Sequence, residues 1–155
     1  MMWGDEPATK RGESRMATVR YIVDDVSAAL DFYSRHLGFR EVMHPAPEFA
    51  MLVRDDLRLA LVAPVPLGHP GGGSRPMADG TPQRPGGWNR FALEVDDLDA
   101  TVAALRDAGV PFRSDVITGV GGKQALVQDP SGNLVELFQP TIAEAHERTT
   151  FGTDQ

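Results

Sequence analysis

Five charged side chains fall at alternating positions of extended-looking segments: Arg20, Arg58, Arg90, Glu94 and Glu136. A guanidinium presents a fixed fork of donors that suits carboxylates, and a carboxylate can accept hydrogen bonds or carry a proton. Arg90 beside Glu136 could therefore stabilise a developing enolate while Glu136 serves as the base. The same residues could equally form ordinary cross-strand ion pairs, Arg20, Arg58 and Arg90 against Glu94 and Glu136.

Other chemistries are poorly supplied. The chain has no cysteine, so disulfides, thiolate metal sites and cysteine nucleophiles are excluded, and a metal would need His, Asp or Glu. Its four histidines are scattered: His36 near a helix end, His44 and His69 in loops, His146 in the tail. Gly71-Gly72-Gly73 precedes Ser and Arg, with no helix after it, so it reads as a flexible tip rather than a phosphate cradle. No serine, histidine and carboxylate fall on strand ends as a nucleophilic triad would require.

The elements that must position these residues repeat. From Ala17 to Val23 the chain is rich in β-branched and aromatic residues, and Asp25 then caps a segment with apolar Val26, Ala29, Leu30 and Tyr33. Gly38 suits the left-handed position past a helix end, and strands are predicted near 39–43, 49–53 and 57–63. A fifth strand, at Trp88 to Val95, leads to a second cap at Asp97 and an apolar stripe of Leu98, Thr101, Val102 and Leu105. Gly109 ends that helix, and strands are predicted near 112–117, 123–128 and 134–139. The pattern is two βαβββ units, and the turn Asp129-Pro130-Ser131-Gly132-Asn133 reads as a hairpin and nothing more.

Between the units, residues 64–87 hold seven Gly and six Pro in 24 positions, which defines a loop that is either a lid or a linker. Residues 1–15 read as a disordered extension and 141–155 as a tail, leaving one domain over 16–140 with modules at 16–63 and 88–140. Alternation along the strands puts Val19, Tyr21, Leu59, Leu61, Phe91, Leu93, Val135 and Leu137 under the helices. The opposite faces carry Thr18, Arg20, Arg58, Ala60, Arg90, Glu94, Glu136 and Phe138. A curved sheet with helices on its outer face only would turn that second set toward a cavity. The fold class is thus α+β.

The segment from Val19 to Phe39, with Asp24-Asp25-Val26, Asp31-Phe32-Tyr33 and Leu37-Gly38-Phe39, resembles the opening of vicinal-oxygen-chelate modules. The second half is similar, through Leu93 to Asp99, Ala108-Gly109-Val110, Asp129 to Asn133 and Val135 to Phe138. This superfamily includes glyoxalases, bleomycin-resistance proteins and extradiol dioxygenases. Its metal-dependent members place a His or Glu near the start of the first strand and at the end of the fourth strand of each module. By the resemblance those positions here are Thr18, Ala60, Arg90 and Glu136, and only Glu136 can bind a cation. The usual divalent metal, and any other cofactor, is therefore expected to be absent.

The resemblance and the polar face together lead to an expected small acidic or aromatic ligand in the cavity, held by Thr18, Arg20, Arg58, Ala60, Arg90, Trp88, Glu136 and Phe138. The alternative is a lyase, isomerase or dioxygenase of the superfamily using Glu136 and Arg90. A net charge of −7 argues against nucleic acid and anionic membranes as partners, and no apolar run is long enough to span a bilayer. A cytoplasmic protein is expected, and exposed sheet edges suggest a homodimer.

Overall fold

The computed structural model describes residues 15–142. The extension and tail predicted from the sequence fall, apart from Arg15, Thr141 and Ile142, outside that range. The first module runs β1 (Ala17–Ile22), α1 (Val26–His36), β2 (Arg40–Ala46), β3 (Phe49–Arg54) and β4 (Leu57–Val62). The second runs β5 (Arg90–Glu94), α2 (Leu98–Asp107), β6 (Ile117–Thr118), β7 (Gly122–Gln128) and β8 (Leu134–Pro140). Each module is a four-stranded sheet, ordered β1-β4-β3-β2 and β5-β8-β7-β6, with the first and last strands of the module parallel. The expected α+β architecture is what the chain adopts.

Both helices start and stop where the sequence places the signals. The Asp25 carboxylate accepts from Ala28 N–H and the Asp97 carboxylate from Ala100 N–H, each at 3.1 Å, satisfying one otherwise orphaned amide per helix. Gly38 and Gly109, with φ of 70° and 82°, turn the chain out of each helix in a conformation that side chains rarely tolerate.

One difference concerns 112–117. Only Phe112 bridges Val127, and a regular strand exists at Ile117–Thr118 alone. The reason is local: Ser114 Oγ takes the Leu126 amide that a ladder carbonyl would otherwise receive. A side chain has replaced the backbone partner, so the ladder is interrupted.

The helix-facing residues of both modules form one apolar cluster, from Tyr21 and Leu59 through Phe91 to Leu137. Phe91 is the joint: its ring centroid lies 5.2 Å from Tyr21, 6.0 Å from Phe39 and 6.4 Å from Tyr33. Burial of such aromatics supplies the main attraction between the modules.

Polar bonds fix the joint's orientation. Tyr21 donates to the Leu134 carbonyl at 2.6 Å and accepts from Phe91 N–H at 3.3 Å. The turn at 129–133 does more than reverse the chain. Asp129, 2% exposed, accepts from the Tyr33 hydroxyl, while Asn133 donates to the Ile22 carbonyl and accepts from Gly86 N–H. Ser131 receives the Asp24 amide. The turn is thus a clasp between the second module and the end of β1. No helix among the described residues is long and apolar enough to cross a membrane.

Candidate functional site

Strand register sorts the face turned away from the helices into rows. In the first module the rows are Arg40, Val53, Arg58 and Thr18; Met43, Met51, Ala60 and Arg20; and Ala46, Phe49, Val62 and Ile22. These rows contain three arginines and no carboxylate. In the second module the rows are Gln128, Leu134 and Arg90; Leu126, Glu136 and Ala92; and Gln124, Phe138 and Glu94. That face carries two carboxylates and one arginine. The positive excess expected from the sequence therefore belongs to the first module.

The same register relates the two halves. Thr18 pairs with Arg58, two positions before Ala60, and Arg90 pairs with Leu134, two positions before Glu136. Thr18 with Ala60 and Arg90 with Glu136 are thus equivalent diagonal neighbours in their modules. In the second module the neighbours touch: Arg90 Nε and Nη2 both donate to Glu136 Oε1, at 3.1 and 2.9 Å. Oε2 takes no hydrogen bond from the described residues.

The remaining predicted residues divide. Trp88 is 65% exposed, with the Arg113 guanidinium 5.3 Å from its ring centroid and its own carbonyl accepting from Arg90 Nη1. Phe138 is partly buried over Gly122, where an added Cβ would meet its ring. Thr18 is exposed, Arg58 donates to the Met16 carbonyl, and Ala60 has no exposed surface. Of the expected ion pairs on this face, Arg90 with Glu136 forms; Arg20 and Arg58 have no carboxylate partner among the described residues.

Two hollows of about 340 and 350 Å³ lie at the end of β5. Glu94 and Asp96 line both, and Asp55 and Asp56 line the second beside Arg54, so acidic side chains outnumber basic ones around each. A smaller cavity of about 160 Å³ lies on the first module's face, between Arg20, Phe49 and Val62 and the loop at Gly71–Ser74. Sequence reasoning placed Arg20 on that face but gave no sign that the loop folds back over it.

Residues 15–137 match the Glyoxalase/Bleomycin resistance protein/Dioxygenase superfamily. The chain belongs to that superfamily. It is 28% identical to a lactoylglutathione lyase of Pseudomonas putida, over 88% of this chain and 90% of the relative. The antibiotic-binding protein TnmS3 from Streptomyces sp. CB03234 is 27% identical, with a TM-score of 0.61, covering 83% of this chain and 98% of that one. A superfamily member from Sphaerobacter thermophilus is also 27% identical, with a TM-score of 0.63 and the same coverage.

Metal-dependent members of the superfamily hold a divalent ion, and the donor set here does not suit one. Thr18, Ala60 and Arg90 offer no strong donor, and the carboxylate of Glu136 already faces a guanidinium. Among the described residues no three His, Asp or Glu side chains are grouped to hold a metal.

Proposed function

We propose that this chain binds a small acidic or aromatic organic molecule against the inner faces of its sheets, without a divalent ion at the superfamily's metal positions. The observation that carries this reading is the Arg90–Glu136 contact. A guanidinium occupies the place where a metal-dependent relative needs one more donor, and the first module's face, with three arginines and no carboxylate in its rows, supplies positive charge for an anion. Thr18, Arg20, Arg58, Trp88 and Phe138 complete the surroundings, while Ala60, expected from the sequence among them, is fully buried and offers a ligand no surface. Similarity to an antibiotic-binding protein along nearly all of that protein's length supports binding as the activity.

A second reading is an enzyme, a lyase, isomerase or dioxygenase, with Glu136 as base and Arg90 stabilising the enolate. It is favoured by one detail: both Arg90 bonds go to Oε1, which leaves Oε2 to meet a substrate proton. The outer edge of β2, with Val42 and Met43 about half exposed, gives a second copy of the chain a surface to cover, which supports a homodimer. The setting in this reading is the cytoplasm, with small molecules rather than nucleic acid or membranes as partners.

A thermal-shift screen of acidic metabolites and aromatic antibiotics tests the main reading, because binding to the native state raises its apparent stability. Stabilisation that Arg90→Ala abolishes supports it. Stabilisation undiminished in that variant removes Arg90 from the site.

A further inference from the structure

The inter-module loop docks as an ordered strap. Ser74, 5% exposed, donates to the Ala63 carbonyl at 2.6 Å, and Val65 beside it is buried. Arg75 bonds the carbonyls of Gly71 and Pro70, and Gln83 bonds the carbonyl of Arg75. His69 links the strap to the turn between β2 and β3. Its Nδ1 accepts from Gly71 N–H at 3.0 Å, which leaves Nε2 as the protonated nitrogen, 3.3 Å from Glu48 Oε1.

The cavity under this strap is lined by side chains of opposite charge. Arg20 and Glu48 both line it, yet no ion pair joins them, and Arg20 has no hydrogen-bond partner among the described residues. The backbone N–H groups of Gly72 and Gly73 likewise find no partner among the described residues. Phe49, Val62 and Val65 add apolar wall to the same cavity. At Gly73 an added Cβ would overlap the Arg20 guanidinium, so a side chain there would displace that end of the arginine from its place beside the strap.

We propose that this strap-covered cavity binds a small molecule with a carboxylate at one end, a hydrogen-bond donor at the other and a flat apolar middle. Arg20, helped by the glycine amides, takes the carboxylate, and the unbonded oxygen of Glu48 takes a hydroxyl or amino hydrogen. At about 160 Å³ the cavity is smaller than the ~300–1,000 Å³ of drug-sized pockets, so it takes a ligand of one ring. The site lies on the first module, whose face has no carboxylate in its rows, and is separate from Arg90 and Glu136. It narrows the functional reading above and rests on it only in placing the ligand on an inner face.

The test uses 4-hydroxybenzoate, benzoate and 4-hydroxybenzamide, titrated into the full chain and followed by amide chemical shifts. 4-Hydroxybenzoate is expected to give saturable shifts at Arg20, Gly72, Gly73 and Ser74. Binding should weaken at least tenfold with 4-hydroxybenzamide, in Arg20→Gln and in Gly73→Ala, which keeps the charge but displaces the guanidinium. Benzoate should bind more weakly than 4-hydroxybenzoate to the natural chain, and the two should bind equally to Glu48→Ala, which has no side-chain acceptor. Arg35→Gln, which removes the same charge from the exposed face of α1, should bind as the natural chain does. Shifts confined to Arg90, Trp88 and Phe138 would overturn the site while leaving the broader reading intact. Absence of saturation, or equal affinity in Arg20→Gln, would also overturn it. Saturation at Arg20 together with a screen that Arg90→Ala leaves unchanged would uphold this site and remove Arg90 from the broader reading.

Discussion

Tyr33 and Asp129 are 96 positions apart in the chain and 2.9 Å apart in the fold, hydroxyl to carboxylate, in a buried setting. The bond joins α1 of the first module to the β7–β8 turn of the second. It is therefore a direct reporter of how firmly the modules are held together.

Tyr33→Phe should cost about 1–2 kcal/mol of unfolding free energy, the usual loss when one partner of a buried hydrogen bond is removed. Asn133→Ala should cost more, since it removes bonds to the Ile22 carbonyl, the Gly86 amide and the Asp129 carboxylate together. Urea denaturation measures both. A Tyr33→Phe protein as stable as the natural one, or the reverse order of the two losses, would show that the clasp does not add to the hold between the modules.

The second prediction concerns alkaline pH. The chain has two tyrosines, and burial pushes the Tyr21 hydroxyl up to about 12. Tyr33 moves the same way, through burial first and then the charge of Asp129 beside it. A folded-state value above the unfolded value of 10 means that both stay neutral when the unfolded chain ionises. Stability should thus be complete below pH 10 and fall between 10 and about 12, as the unfolded state sheds protons that the native state keeps. Absorbance near 295 nm, on the order of the tyrosinate band, should stay flat until the protein unfolds. A gradual rise centred on the ordinary tyrosine value, with the fold intact, would contradict the burial of both rings.

Gly122 supplies a third. It opens β7 opposite Pro140, and an added Cβ would collide with the Gln139 carbonyl and the Phe138 ring. Because one obstacle is backbone, the site cannot relax cheaply, and Gly122→Ala should cost about 1–3 kcal/mol. Since Phe138 would be pushed aside, ligand affinity at the second module should fall with stability. Equal thermal midpoints for the two proteins would refute the packing argument.

Much of this architecture is legible in the residues. Asp25 with Gly38 and Asp97 with Gly109 mark both helices because capping and chain reversal are local chemistry. The sorting of Leu59 and Leu61 from Arg58 and Ala60 follows from strand alternation. Long-range partnerships are not legible in this way. Asp129 to Asn133 looks like a hairpin because its turn chemistry is local, while its bonds to Tyr33 and Ile22 depend on module docking. The strap over Arg20 is hidden for the same reason: seven glycines and six prolines exclude regular structure but do not encode where a loop lands. For the candidate site, alternation puts Arg90 and Glu136 on one face, but their contact depends on side-chain conformations that alternation does not fix.

The last prediction tests whether the four positions equivalent to the superfamily's metal ligands share one hollow. Within each module the pairs are diagonal neighbours, Thr18 with Ala60 and Arg90 with Glu136. If the two pairs also face each other, in one chain or across a dimer, replacing the misfit side chains should create a metal site. Thr18→His combined with Arg90→His leaves Glu136 free of its guanidinium and gives three donors, the minimum of a catalytic zinc centre, without disturbing fully buried Ala60. The natural protein, purified without chelator, should carry less than about 0.1 equivalent of Zn, Ni, Fe or Mn, as expected when a guanidinium takes the one carboxylate among the four positions. The double variant, with circular dichroism unchanged, should bind about one equivalent by elemental analysis and calorimetry. Stoichiometric metal in the natural protein would refute the ligand comparison, because it would require donors other than these. A folded double variant that binds none would show that Thr18 does not face Arg90 and Glu136, and the inner faces would then be two separate surfaces.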